Sequence, residues 1–203
     1  MLKLPIFCAK IAILLSLFIG NTSYANILRS GDVLLQPLKC WSCNLIEAQE
    51  ESIYSHVGIY LEVNQRPMVL EAYGSVRLIS LTEYLKKTEE NQKVKILRSN
   101  LIDSVSEAEL LNYGLKFVGL PYDRFFLWDN QINGKDAIYC SELLFKIFDK
   151  FNLLNDLKLK MMTFDTNPDL WDKYFRGETP RGELGISPED FNKSSDFIFI
   201  GEL

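Results

Sequence analysis

The stretch that most limits the possible folds is "IYSHVGIYLEVNQRPMVLEAYG", residues 53–74. It contains two runs that are rich in β-branched and aromatic residues, a composition typical of strands. Asn64 and Gln65 separate the runs and predict a tight hairpin turn between them. The segment therefore predicts two neighbouring antiparallel strands, and we expect an antiparallel sheet to be the framework of the domain.

The hairpin carries the only histidine of the chain, His56. Strand side chains alternate between faces, so His56 and Gly58 share a face, and the glycine would leave room for another chain or a substrate. A two-residue turn puts Glu71 on that same face, directly opposite His56 or one diagonal step away. A carboxylate there can accept the Nδ1 proton and orient the imidazole. A structural histidine and a solvated glutamate are the alternatives.

Cys140 stands directly before the apolar run "SELLFKIF". If a helix begins at Ser141, its free N–H groups and positive dipole end would stabilise a thiolate at Cys140. The N–H group of Cys140 could also donate to a developing oxyanion. A small buried core residue is the alternative interpretation. The apolar residues of the run recur at helical spacing at Leu143, Leu144, Ile147 and Phe148.

The rest of the sequence predicts a mixture of short strands and helices. Helices are expected after Ser80 and Ser106, where a glutamate three residues later completes a capping box, and after Ser187. Strands in the middle of the chain with helices before and after them indicate an α+β domain, with the antiparallel sheet packed against helices. The further strands are predicted at 31–38, 75–81, 92–98 and 196–203.

Residues 1–25 predict a secretory signal peptide, followed by a domain at 26–203. A basic start precedes the apolar run "IAILLSLFIG", and Ser23 and Ala25 are the small residues of a cleavage site. The run is too short to span a bilayer, so no stable membrane span is expected after cleavage. The predicted location is therefore periplasmic or secreted.

Charge and cysteine content exclude several classes of function. Removing two of the 22 basic residues and none of the 27 acidic ones gives a mature charge of 20 − 27, or −7. Such a chain has no basic surplus for nucleic acid. In an oxidising compartment Cys40 and Cys43 can form a structural bridge, with a redox pair as the alternative, and Cys140 is left alone. A zinc site needs four ligands. Because the chain has one histidine and two of its cysteines are expected to pair, we expect no metal.

The segments "GDVLLQ", "YSHVGIY", "VLEAYG", "GLPYD" and "IYCSELLFKIF", in that order, resemble the circularly permuted branch of the NlpC/P60 papain-like superfamily, the YiiX/YaeF-like amidases. The histidine precedes the cysteine, as in that branch, and the resemblance spans the mature chain. It implies a circularly permuted papain-like fold without a cofactor. It also implies a catalytic triad with Cys140 as nucleophile, His56 as base and Glu71 as third group.

The expected function is that of an exported cysteine hydrolase of the amidase or peptidase type. It would cleave an amide bond through a thioester, and peptidoglycan peptide is the candidate substrate by analogy. One alternative is a lipid or acyl-conjugate hydrolase or acyltransferase with the same triad, because the apolar residues 125–128 would suit an acyl chain. Another is a non-catalytic wall- or lipid-binding module. Residues 161–185 match the family least clearly, which leaves the substrate open.

Overall fold

The computed structural model describes residues 27–203, and the predicted signal peptide therefore lies outside the described residues. Within residues 27–203 the chain forms ten strands and six α-helices. The strands are β1 (Val33–Gln36), β2 (His56–Val63), β3 (Arg66–Tyr73), β4 (Ser75–Ser80), β5 (Lys95–Ser99), β6 (Gln131–Ile132), β7 (Lys135–Asp136), β8 (Lys160–Met161), β9 (Leu184–Gly185) and β10 (Phe197–Glu202). The helices are α1 (Trp41–Glu50), α2 (Leu81–Leu85), α3 (Glu107–Gly114), α4 (Cys140–Lys150), α5 (Pro168–Tyr174) and α6 (Pro188–Lys193).

One antiparallel sheet organises the described residues. Its strand order is β10-β5-β1-β2-β3-β4, while β6 with β7 and β8 with β9 form separate two-stranded ribbons. Helix α4 packs against β2 and β3, and α3 packs against α4. The prediction of an α+β domain, with an antiparallel sheet packed against helices, is confirmed.

The predicted hairpin forms with the predicted turn. Asn64 and Gln65 both have positive φ, at 51° and 61°, which fits a two-residue hairpin turn of the I′ type. The resulting register places Glu71 opposite Gly58, one diagonal step from His56. The shared face predicted for the histidine and the glutamate is therefore confirmed.

Apolar side chains fill both sides of the sheet. On β2, Val57 and Ile59 belong to the main core together with the apolar face of α4, whose Leu143 is fully buried. Tyr60 of β2 belongs instead to a second, smaller cluster around the buried Tyr84. The alternation along β2 is the two-residue period of a strand covered on both faces. Burial on both faces fixes the register, because a slip of one residue would move the side chains of each face of β2 to the opposite face.

Gly58 serves packing, which differs from the predicted approach of a substrate. A Cβ atom at this position would lie 2.6 Å from Cγ1 of Val69 and 3.1 Å from Cε2 of Tyr84. The space that the glycine leaves is thus already filled by these two side chains. The room at Gly58, which was expected to admit another chain or a substrate, is occupied by the Tyr84 ring, which α2 brings onto this face.

The Cys40-Cys43 pair forms a disulfide at the start of α1. Cys40 is the N-cap of this helix, and its sulfur accepts the N–H of Cys43 at 3.1 Å. The helix begins at Trp41, between the two bridged cysteines. No helix within residues 27–203 has the length and apolar character needed to cross a membrane.

Candidate active site

The structure brings the three predicted site residues to one end of the sheet. His56 is the first residue of β2, Glu71 lies on β3, and Cys140 is the first residue of α4. The imidazole Nε2 lies 2.7 Å from Oε2 of Glu71. The expectation that the carboxylate would pair with Nδ1 was therefore wrong. The rotation of the ring turns the Nε2 edge toward Glu71 on β3.

The Cys140 side chain lies close enough to the imidazole to raise the pKa of His56. Helix α4 starts at Cys140 itself, with Tyr139 as N-cap, so the helix begins one residue earlier than predicted. The first-turn N–H groups of a helix have no partner within it, which places free donors beside the sulfur. Cys140 has only 5% of its surface exposed and also lines a cavity. It is consequently a core residue that can still be reached from that cavity.

The residues on either side of Cys140 are clamped to a single backbone position. The N–H of Ile186 donates to the Tyr139 hydroxyl at 3.2 Å, and the Ser141 hydroxyl donates to the Ile186 carbonyl at 2.7 Å. Ile186 comes from a segment more than forty residues away in sequence. These two bonds fix the chain on both sides of Cys140 to one backbone position.

Opposite charges dominate the electrostatics of the site. Burial lowers the pKa of His56, but the charge and hydrogen bond of Cys140, followed by those of Glu71, outweigh burial and raise that pKa to about 9. Burial raises the pKa of Glu71, but His56 and Lys87 outweigh it and lower that pKa to about 2. At neutral pH the imidazole is thus an imidazolium and the carboxyl group a carboxylate.

Two cations at the second oxygen of Glu71 were missed by the sequence analysis. Oε1 accepts hydrogen bonds from Nε and Nη2 of Arg77, at 3.0 and 2.7 Å, and from Nζ of Lys87 at 2.8 Å. A signal for the arginine existed, because a hairpin centred on Gly74 sets Arg77 opposite Glu71. For Lys87, which follows α2, the sequence offers no comparable signal.

Two tyrosines enclose the imidazole. The Tyr84 ring lies 5.8 Å from the His56 ring between centroids, and its hydroxyl donates to the Leu34 carbonyl at 2.8 Å. The Tyr73 ring meets His56 edge-on at 6.0 Å. Burial, followed by the charges of Glu71 and Cys140, raises the pKa of Tyr84 well above its usual value. Tyr84 is therefore a neutral wall of the site.

A cavity of about 370 Å³ opens beside the sulfur. Its aromatic wall includes Phe126, one of the apolar residues 125–128. The Phe126 ring also packs 5.6 Å from the Tyr139 ring. The other apolar lining residues include Ile46, Met162, Phe164, Trp171 and Ile186.

Part of the cavity lining is polar. Lys160 belongs to this part and pairs with Glu50 at 2.9 Å and with Asp190 at 2.8 Å. The Ser187 hydroxyl donates to the same glutamate at 2.9 Å. The cavity lining thus combines apolar side chains with a lysine that is paired to two carboxylates. Within residues 27–203, no group of three or more His, Cys, Asp or Glu side chains is arranged to hold a metal ion.

An antiparallel sheet whose histidine strand precedes the cysteine helix defines a papain-like domain with permuted connectivity. Residues 27–200 match the family model described as "permuted papain-like amidase enzyme, YaeF/YiiX, C92 family". The chain therefore belongs to this family, which is described as one of amidases. The family and fold predicted from the sequence are both confirmed.

Two individual proteins are similar to this chain. The protein YiiX of Escherichia coli K12, described as uncharacterized, is 26% identical over 136 residues, which cover 67% of this chain and 65% of the relative. The matched region thus spans slightly less than two thirds of that relative. A crystal structure titled "metalloprotein yiiX" from Escherichia coli O157:H7 superposes with a TM-score of 0.76 at 22% identity, covering 87% of this chain and 98% of the other. At that identity the likeness concerns the fold.

Replacing Glu71 by Gln should remove stability in a pH-dependent way. The folded-state pKa of about 2 lies below the ordinary 4.5, so the carboxylate stabilises the fold above about pH 4.5, and this contribution is lost as pH falls toward about 2. The shift corresponds to about 3 kcal/mol at pH 6. Urea unfolding at pH 6, 4 and 3 measures it.

Glu62→Gln is the matched control for this measurement, because Glu62 lies exposed on β2. It should leave the free energy of unfolding unchanged within a few tenths of a kcal/mol. A loss in Glu71→Gln that is equally large at pH 6 and pH 3 would contradict the charge interpretation and point to packing.

Proposed function

We propose that this protein is a cysteine hydrolase that cleaves an amide bond, with Cys140 as nucleophile, His56 as acid and base, and Glu71 as the orienting group. One observation carries the proposal: the side chain of Cys140, the first residue of α4, lies near an imidazole whose Nε2 pairs with a buried carboxylate. A base held between a nucleophile and a third group is the arrangement that nucleophilic catalysis requires. Membership of an amidase family supports the type of bond.

In the proposed cycle, His56 gives one proton to the leaving amine and later takes one proton from water. The Cys140 thiolate attacks the carbonyl carbon, and the tetrahedral intermediate collapses when the His56 imidazolium gives its proton to the leaving amine. The acyl group remains on the sulfur as a thioester. Water then attacks the thioester while the neutral imidazole takes its proton, and the acid leaves as the thiolate re-forms. The net reaction converts an amide and water into an acid and an amine.

The oxyanion would be bound by the N–H of Cys140 and the hydroxyl of Tyr122. The N–H lies in the first turn of α4, where helical N–H groups lack internal partners. Tyr122 lines the same cavity as the sulfur. Burial, followed by the nearby Cys140 charge, raises the pKa of Tyr122 well above its usual value, so its hydroxyl keeps the proton that it would donate.

The proposed substrate is an amide with an apolar acyl portion, and cell-wall peptide is the candidate by analogy with the superfamily. The apolar wall next to Cys140 and the charged end around Lys160 suit a molecule with both characters. A lipid or acyl-conjugate substrate is the second candidate. It is favoured by the same apolar wall, because a thioester can equally be formed from an ester-linked acyl chain.

We also propose that the protein is exported and that residues 1–25 are removed. The disulfide between Cys40 and Cys43 supports this, because such bonds persist mainly in oxidising compartments. The small residue at position 25 and the apolar run before it give the cleavage site.

Iodoacetamide should alkylate Cys140 rapidly near pH 7, and His56→Ala should slow this reaction about tenfold or more. The physical reason is that the imidazolium, which persists to a pKa of about 9, stabilises the thiolate. Quenched samples analysed by peptide mass mapping give the rate at Cys140 itself.

Glu62→Gln, an exposed change on the same strand, should keep the wild-type alkylation rate. Slow and equal alkylation in the wild type and in His56→Ala at pH 7 would contradict the catalytic role and identify Cys140 as an ordinary core thiol.

Incubation with purified peptidoglycan peptides should release a new amine, while Cys140→Ala should release none. The same preparations are incubated with phospholipid vesicles, and both amine and fatty acid are quantified. Release of fatty acid without release of amine would contradict the amide proposal and support the lipid or acyl-conjugate substrate. Tight binding to either material without any release would support the wall- or lipid-binding module instead.

Export predicts a mature protein that begins at Asn26 in the periplasmic or secreted fraction of a bacterial host. N-terminal sequencing of the fractionated protein measures it. An Ala25→Arg variant should accumulate uncleaved, because the processing site needs a small residue. Recovery of the wild type from the cytoplasm with Met1 retained would refute export.

A further inference from the structure

Glu71 binds more cations than its predicted role requires. Its side chain has no exposed surface, and only one of its two oxygens faces His56. The other oxygen receives three hydrogen bonds, two from Arg77 and one from Lys87. One buried carboxylate is thereby shared among an imidazole, a guanidinium and an ammonium group.

We propose that Arg77 and Lys87 are positioning residues of the site, which fix the orientation of Glu71 and moderate the negative charge that it presents to His56. The proposal rests on the proposed function, because it concerns how the acid and base of that reaction is held. Neither cation would touch the substrate. Both would act through the carboxylate.

The orientation follows from the directions in which the two cations approach. Arg77 extends from β4, where it lies opposite Glu71 in the strand register, and uses two nitrogens on one oxygen. Lys87 approaches from the turn that follows α2. A carboxylate bound from two elements on one oxygen has little freedom to rotate. Its second oxygen is therefore held toward the imidazole.

Tyr73 connects the two cations to the imidazole. The guanidinium of Arg77 lies 5.2 Å and the ammonium of Lys87 lies 4.7 Å from the centre of the Tyr73 ring. The same ring meets His56 edge-on. Cation–π contacts of this kind restrain the cations as well as the ring. The group formed by Tyr73, Arg77 and Lys87 thus acts as a single support for the carboxylate.

The charge effect has a definite sign. If Glu71 were alone, its full negative charge would favour the imidazolium, whereas Arg77 and Lys87 offset part of that charge and also repel the imidazolium directly. Removing either cation should therefore make His56 hold its proton more tightly. The remaining groups around the ring are Cys140 from α4 and Tyr84 from α2.

His56 can be titrated directly, since it is the only histidine in the chain. NMR of the imidazole is recorded from pH 5 to 10 in full-length protein carrying Cys140→Ser, a background that removes the thiolate and leaves Glu71 as the anion beside the ring. Arg77→Met and Lys87→Met should each raise the pKa of His56 by about 0.5 to 1 unit relative to that background. Glu71→Gln should lower it.

Lys86→Met is the matched control, because Lys86 is the exposed neighbour of Lys87 and its loss changes the net charge equally. In Lys86→Met, His56 should keep the pKa that it has in the Cys140→Ser background. The same is expected for Lys87→Arg, which keeps the charge. Should Lys87→Met fail to fold, Lys87→Gln keeps a donor to Glu71 without the charge and should show the same rise. A His56 titration that is unmoved in Arg77→Met and in the lysine variants would overturn the proposal.

The titration is independent of catalysis. A shift of His56 in these variants, combined with an unreactive Cys140 in the alkylation experiment, would retain the positioning role and refute only the hydrolase. Rapid alkylation of Cys140, combined with an unchanged His56 pKa in these variants, would retain the hydrolase and refute only the positioning role.

Discussion

The Glu71 carboxylate, buried without any exposed surface, is the interaction on which the rest of the site depends. An unpaired charge in such a place would be strongly unfavourable, so the fold has to bring cations to it. It does so from three directions, with His56 from β2, Arg77 from β4 and Lys87 from the turn after α2. The imidazole held in this way lies near Cys140.

The surroundings of the sulfur are built in a different way, from aromatic packing and backbone clamps. Tyr139 and Ser141 bind the backbone of Ile186 on both sides of Cys140. Phe126 and Phe164 in the cavity wall adopt positive φ, at 55° and 56°, which is unusual for large side chains. Such conformations persist where the surrounding structure enforces them, and they occur often at functional sites. The cavity is thus shaped at a local conformational cost.

Much of the site could be predicted because strand geometry is regular. A two-residue turn and alternation along a strand were sufficient to place Glu71 on the face of His56, directly opposite or one diagonal step away. The register shows the diagonal arrangement. The identity of the pairing nitrogen could not be predicted in this way, because it depends on ring rotation. The role of Gly58 was misjudged for a related reason: its neighbour Tyr84 is distant in sequence and reaches the sheet only through tertiary packing.

The sequence by itself determined the strands, the hairpin turn, the helix that begins near Cys140 and the order of histidine before cysteine that marks the permuted family. These are local patterns, governed by periodicity, turn chemistry and capping over a few residues. Only the tertiary structure decided that Lys87 reaches Glu71, that Ile186 clamps the cysteine and that a cavity lies beside the sulfur. Such contacts join residues far apart in the chain, and their geometry is fixed by how whole elements pack, which no local pattern encodes.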